Sequence, residues 1–346
     1  MERRPGRLLQ FRNIRPILRL GSFTPRREPP PYCALYSGQN ALDRLQTLSE
    51  LQAETLLSLC AASLSLYPAW ERQSWIMPEP EAALQVHGGH FLDLAGLSLR
   101  LGGVRHLAGR HSYLHAPSGL AFAAHQDAQG QVTLVLGGTN SSHTDSQPRT
   151  FPAEVQQLRA DLLNVVGGVP RLYRAADLLT LLLRDELARR EEYGPLTLAG
   201  HSLGGGMAQY AGLMNDVPVF AFSPTALGRG MLSLLHDAGR LKDPAAVMRL
   251  VHAYSLEGDP IPGLGTGWLQ SSVVGEHLRL PLSPDVASSH RASSHATSHG
   301  QIYPHLVAWL RRRWPDLPDA IEKAREKNAE VREHPSLEPG EEQPEP

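Results

Sequence analysis

The segment Leu196-Thr-Leu-Ala-Gly-His-Ser-Leu-Gly-Gly-Gly206 constrains this chain more than any other. It sets Gly200-x-Ser202-x-Gly204 directly after an apolar strand pattern and directly before an apolar helix pattern, the setting a nucleophile elbow requires. Without Cβ atoms, Gly200 and Gly204 let a strand turn sharply into a helix, so that Ser202 is pushed out beyond the sheet edge. A serine at a helix N-terminus also faces the positive end of the helix dipole, and the amide of Leu203 is aimed at any oxyanion formed there. Two readings compete: a glycine-rich turn without chemistry and a phosphate-binding loop. The absence of a Lys after Ser202 counts against the second.

A strand feeding such a turn needs neighbours, and the surrounding sequence supplies them. Apolar runs Leu120–Ala124 and Val132–Leu136 flank Asp127-Ala-Gln-Gly130 and predict a β-hairpin. Helices are expected near Ala41–Tyr67, Ala153–Val165 and Arg171–Glu192. Beyond the elbow the chain alternates helix Leu203–Met214, strand Val217–Phe222, helix Leu227–Ala238 and strand Met248–Ser255. Such alternation predicts an α/β fold, a mostly parallel sheet with helices on both faces. With 346 residues, 41% of them hydrophobic and 20% charged, the chain can bury a large core. No apolar stretch is long enough to cross a membrane. The 33 Lys and Arg against 35 Asp and Glu give no overall field for nucleic acid. Two cysteines, Cys33 and Cys60, cannot build a disulfide framework.

Four regions are expected. Residues 1–30 carry eight Arg and read as a disordered basic arm; Arg12, Arg15 and Arg19 interrupt any secretory h-region, although the composition overlaps that of transit peptides. Residues 31–109 form a helical and strand extension packed on the core, 110–315 the core, and 316–346 a charged helix end with an acidic tail. The expected location is cytoplasmic, or exported without a cleaved signal.

A serine hydroxyl is a poor nucleophile at neutral pH, so a histidine must take its proton and a carboxylate must orient that histidine. In this fold class the order is serine, acid, histidine. Asp259 follows the strand beyond Ser202, where catalytic groups collect at carboxyl ends; Glu257 and Asp285 are its rivals, and an ordinary Asp-Pro turn is the alternative. His277, His290, His295, His299 and His305 crowd the last stretch. His299 precedes the apolar terminal helix and is the candidate base, with His305 a packed or surface residue inside that helix. His290, His295 and His299 could instead converge on a metal ion, but no thiolate or carboxylate stands nearby with ligand spacing. A second oxyanion donor is expected after an upstream strand, and Leu136-Gly-Gly-Thr-Asn140 places Thr139 there. No cofactor is called for.

Over roughly residues 110–312 these segments resemble the class 3 lipases, the fungal triacylglycerol lipase-like branch of the α/β hydrolases. Gly200-His-Ser-Leu-Gly-Gly205 looks like the family's elbow, and Gly138-Thr139 falls at its oxyanion turn. Asp259-Pro-Ile-Pro-Gly263 is similar to its acid loop, and His299-x3-Tyr303-x-His305-Leu306 to the plant phospholipase A1-like members. Val219-Phe-Ala-Phe-Ser-Pro224 looks like the strand after the nucleophile helix. Leu136-Gly137 departs from the family's aromatic-Arg pair, and no Trp follows Asp145. The resemblance implies hydrolysis of lipid carboxylic esters, triacylglycerol or phospholipid, at a membrane or micelle interface under a movable lid. Ser141–Pro152 and Trp268–Ser298 are the candidate lids, the second for its Trp268, Leu269, Val273 and Val274. The alternatives are a soluble-ester esterase or thioesterase, a non-catalytic binding module on the same fold, and a basic arm that docks on an acidic surface.

Overall fold

The computed structural model describes residues 30–67, 89–94, 101–107, 111–139, 168–191, 193–263, 271–289, 301–320 and 322–323. Its framework is one mixed sheet. Strands β1 (Cys33–Ser37), β2 (His90–Phe91), β3 (Val104–His106), β4 (Tyr113–His115), β5 (Leu120–Gln126), β6 (Val132–Leu136), β7 (Leu196–His201), β8 (Val219–Phe222), β9 (Val251–Leu256) and β10 (Gly275–Leu280) line up as β1-β10-β9-β8-β7-β6-β5-β4-β3, with β2 paired to β5. From β6 to β1 every neighbouring pair is parallel, and β3 to β5 form an antiparallel wing. The α/β architecture expected from the strand and helix alternation is therefore present.

Parallel strands buried on both faces read as continuous apolar runs. Val132–Leu136 and Leu196–His201 are buried at every position. The hairpin between β5 and β6 closes as expected: Gly130 takes φ 82°, and the Asp127 amide donates to the Gln131 carbonyl at 3.1 Å.

Helices α3 (Arg171–Leu187) and α4 (Leu203–Asn215) cover one face, burying Leu179, Leu183, Met207 and Ala211 against Leu134, Leu198 and Val219. The other face is covered from outside the βαβ run. There α1 (Gln39–Leu45), α2 (Glu50–Ser65) and the terminal α8 (Ile302–Arg311) bury Leu45, Leu57, Leu64, Leu306 and Leu310 against Phe222, Tyr254 and Leu278.

Several boundaries differ from expectation for local reasons. The predicted helix Ala41–Tyr67 is two helices. Ser49 stops the first and starts the second through a reciprocal capping box: its Oγ accepts from the Gln52 amide at 3.3 Å, and its own amide donates to Gln52 Oε1 at 2.9 Å. The predicted strand Met248–Ser255 begins only at Val251. Asp243 caps α6 (Pro244–Leu250) by accepting from the amides of Ala245 and Ala246, and Pro244 presets the first helical turn. Helix α5 (Arg229–Asp237) is two residues later at its start than expected, and α3 ends at Leu187 rather than Glu192. The last short helix, α7 (Pro284–Ser289), leads toward α8. The helix expected at 153–165 lies outside the described residues.

The proposed lid Trp268–Ser298 needs correction where it is described. Val273 and Val274 are buried in the core, and the next six residues are strand β10, hydrogen-bonded between β9 and β1. Apolar side chains there serve the sheet, not a lipid-facing flap. Residues 141–152, the whole of the other candidate lid, lie outside the described residues, as do 268–270 and 290–298 of this one. No described helix is long and apolar enough to cross a membrane.

Candidate active site

Ser202 sits between β7 and α4 as the helix N-cap, with φ 59° and ψ −126°. A side chain in this region of backbone space is strained, and it persists because its surroundings over-determine it. The Ser202 amide donates to the Phe222 carbonyl at 3.0 Å. Its own carbonyl accepts from Thr225 at 3.0 Å and from Gly206 at 3.1 Å. The turn is tight enough that a Cβ on Gly200 would strike the Gly204 backbone, and one on Gly204 would strike the Leu136 carbonyl. Those two glycines let β6, β7 and α4 meet at one point. The elbow anticipated from Gly200-x-Ser202-x-Gly204 is thus formed, at the carboxyl edge of the parallel strands.

Leu203 is buried in the first turn of α4, where an amide has no intrahelical acceptor. Beside it the chain leaves β6 through Gly137, whose amide donates to the Ala121 carbonyl at 2.8 Å, and reaches Gly138 and half-buried Thr139. Because β6 pairs with β7 in parallel, Thr139 and Leu203 leave the same sheet edge from adjacent strands.

Asp259 lies three residues past β9, 7% exposed. Its Oδ1 accepts from the Ile261 amide at 3.0 Å, which turns the chain into the short 3-10 turn Ile261–Gly263. One strand, β8, separates β9 from β7. Two inter-strand spacings are about 10 Å, a gap that one imidazole can bridge between a hydroxyl and a carboxylate. The two rival acids are engaged elsewhere. Glu257 Oε1 accepts from the Gly38 amide at 3.0 Å and anchors the entry to α1, while exposed Asp285 pairs with Arg312 at 3.0 Å.

Of the clustered histidines, His290, His295 and His299 lie outside the described residues. The other two are structural. His305 is 3% exposed, its Nδ1 accepts from the Ser283 amide at 2.9 Å, and burial pushes its pKa down to about 4. His277 shares a 2.7 Å hydrogen bond with buried Ser255. Burial, then the nearby Arg279 guanidinium, push its pKa down to about 3, against the opposing pull of the Asp259 carboxylate.

Sequence reasoning missed Tyr67. Its hydroxyl, buried just past α2, shares a 2.8 Å hydrogen bond with Nδ1 of His201, the residue before Ser202. The same hydroxyl occupies the space a Cβ on Gly138 would need, so one phenol touches both the elbow and the turn that carries Thr139. The partners are 134 residues apart, and no local signal links them. Ser223 was missed as well: it directly follows β8, between the two strands that lead to Ser202 and Asp259, with φ 45°, a second strained serine at this edge.

No family model matches the chain, and no curated protein sequence matches it. Among solved structures it is similar to a chain described as "Rhizomucor miehei lipase propeptide complex, native", at 12% identity over 75% of this chain and 79% of that one. The TM-score is 0.39, too low for the likeness to carry any argument about fold or activity.

Proposed function

We propose that the chain is a serine hydrolase that cleaves carboxylic esters of lipids, with Ser202 as nucleophile, His299 as base and Asp259 as the acid that orients it. The observation that carries the reading is the strained Ser202 backbone at φ 59°, held by main-chain bonds at the carboxyl edge of the sheet. Strain of this kind costs stability and collects at functional sites.

In this reading Ser202 Oγ attacks the ester carbonyl carbon as His299 takes the hydroxyl proton. The amides of Leu203 and Thr139 hold the resulting oxyanion. As the carbon–oxygen bond to the alcohol breaks, that alcohol leaves with the proton from His299, and an acyl-enzyme remains. Water then attacks the acyl carbon and gives its proton to His299, and as the bond to Ser202 Oγ breaks His299 returns that proton to Oγ and the fatty acid is released. Asp259 stabilises the imidazolium in both halves. The lipid class, and contact with a membrane or micelle surface, rest on the class 3 lipase motifs.

Fluorophosphonate labelling followed by peptide mapping tests the nucleophile. Modification at Ser202, lost in Ser202→Ala together with several orders of magnitude of p-nitrophenyl ester turnover, is the expected result. Labelling elsewhere, or full turnover by the variant, overturns the reading.

A second reading, a soluble-ester esterase or thioesterase, is favoured by burial of Val273 and Val274, which removes apolar surface that the lipase reading assigned to a lid. Turnover measured across the solubility limit of one ester separates the two. A jump on aggregation supports the lipase, and a smooth curve the esterase.

A further inference from the structure

Two backbone turns at the candidate site meet one side chain that belongs to neither. Tyr67 stands just past α2, on the face of the sheet opposite α4, and is 2% exposed. Its hydroxyl shares the 2.8 Å hydrogen bond with Nδ1 of His201 and lies 3.5 Å from the His201 carbonyl oxygen. The two rings meet edge to face with centroids 5.4 Å apart, and His201 is fully buried. An unmatched hydroxyl or imidazole nitrogen is costly in so dry a setting, so the pair is held together.

The same hydroxyl fills the notch beside Gly138. A Cβ on that residue would strike it, and would also meet the His201 carbonyl oxygen at 2.7 Å. From the other face Gly204, in the first turn of α4, closes on Leu136 and Gly137 with no room for a Cβ of its own. The turn leaving β6 is therefore gripped between α4 and Tyr67. Main-chain bonds fix the elbow to the end of β8, and the Gly137 amide ties the exit of β6 to β5. The Tyr67 hydroxyl joins these two units, next to Thr139 on one side and to Ser202 on the other.

An oxyanion donor works when it is aimed to within about 0.5 Å of the place where charge develops. Two donors on separate turns need a fixed separation between the turns, and a phenylalanine ring at position 67 would supply packing without the tie. We propose that Tyr67 is a positioning residue for the oxyanion site: through His201 and Gly138 its hydroxyl sets the distance between the Thr139 and Leu203 amides. The proposal rests on the Ser202 hydrolase reading. Misaligned donors weaken the hold on the oxyanion more than on the neutral ester, so the effect falls on kcat and not on KM.

Turnover of p-nitrophenyl butyrate and inhibition by phenylboronic acid test this on the full chain. The Ser202 hydroxyl adds to boron as His299 takes its proton, giving a tetrahedral anion that mimics the oxyanion. Tyr67→Phe is expected to lower kcat about 10- to 100-fold with KM within about twofold, and to weaken boronate inhibition by a similar factor. His201→Leu should do the same, whereas His201→Asn, whose side-chain amide stands where Nδ1 did, keeps most of kcat. Thermal melting establishes which variants fold; if Tyr67→Phe does not, the contrast between His201→Leu and His201→Asn decides. A lower melting temperature with kcat and boronate inhibition unchanged makes Tyr67 a packing residue and overturns the proposal. A rise in KM alone, or equal activity of the two His201 variants, overturns it as well. A parent chain that neither turns over ester nor is labelled at Ser202 removes the hydrolase reading and this proposal with it, whereas an active parent matched by Tyr67→Phe removes the positioning role alone.

Discussion

Ser202 holds a strained backbone at the position where the proposed chemistry needs a hydroxyl. Its φ of 59° suits glycine, and a non-glycine residue held in a sparsely populated region costs about 1–3 kcal/mol. Ser202→Gly removes that strain and retains every main-chain bond of the elbow, so it is expected to raise the urea midpoint by an amount equivalent to about 1 kcal/mol and, under the proposed function, to abolish ester turnover. An unchanged or lower midpoint would mean that the turn is not strained. Two of the buried histidines, His277 and His305, act on stability through pH with the largest shifts. Taking the ordinary histidine value of 6.5 for the unfolded chain, both are depressed in the fold, to about 3 for His277 and about 4 for His305. Between the folded and unfolded values the unfolded chain binds more protons, so stability is complete above 6.5 and falls as pH drops toward 4. Protonation of His305 at Nδ1 also breaks its bond from the Ser283 amide. His305→Asn, whose side-chain oxygen can accept from that amide, is expected to flatten the fall in urea midpoint between pH 6.5 and pH 4.5 without removing it, since His277 still titrates. An equally steep fall in the variant would assign the effect to other groups.

Among the elements, α2 depends most on a single local device. It is apolar almost all round and buried from Leu56 to Ser65, so its position is set by tertiary contacts, but its start is set by Ser49. Ser49→Ala removes one half of the capping box and should cost about 1 kcal/mol, read as a lower midpoint in urea. A loss of less than a few tenths would show that burial alone fixes the helix start. The same elements mark where the sequence was legible. Strands β6 and β7 could be read because they are buried on both faces and mostly apolar, with Thr133 and Thr197 the early exceptions. Strand β10 could not, since Glu276, His277 and Arg279 interrupt any apolar run: Glu276 is held by His252 at 3.4 Å and Arg44 at 3.6 Å, and His277 by Ser255. Strand β9 was drawn three residues early because the Asp243-Pro244 start signal for α6 went unread. The positions of Ser202 and Asp259 past the carboxyl ends of β7 and β9 were legible because each follows an apolar strand pattern. Tyr67 was not, because only the folded sheet brings the end of α2 to His201.

The whole molecule depends on a feature that its connectivity hides. From β6 through β9 the chain runs β6-α3-β7-α4-β8-α5-α6-β9 across neighbouring strands in one direction. Crossovers between parallel strands are right-handed, so such a run lays its helices on a single face. The other face, with Phe222, Tyr254, Leu256, Leu278 and Leu280, must be covered by α1 and α2 from one end of the sequence and α8 from the other. Strand β1 extends the same sheet beside β10, its five residues in register from Cys33 opposite Gly275 to Ser37 opposite Arg279. A chain shortened to begin at residue 110 would therefore lose β1, α1 and α2, and with them half the cover of that face and the Tyr67 contact to His201. Each large apolar side chain returned to water costs about 1.5–3 kcal/mol, and several together match the entire net stability of a typical fold, about 5–15 kcal/mol. The shortened chain is expected to aggregate or to show no cooperative unfolding, whereas one beginning at residue 30 keeps every described contact and should unfold at the same urea concentration as the full chain. Cooperative, monomeric folding of the chain from residue 110 would show that α8 and the remaining loops close the second face unaided, and α2 would then be an ornament on the sheet and not one of its walls.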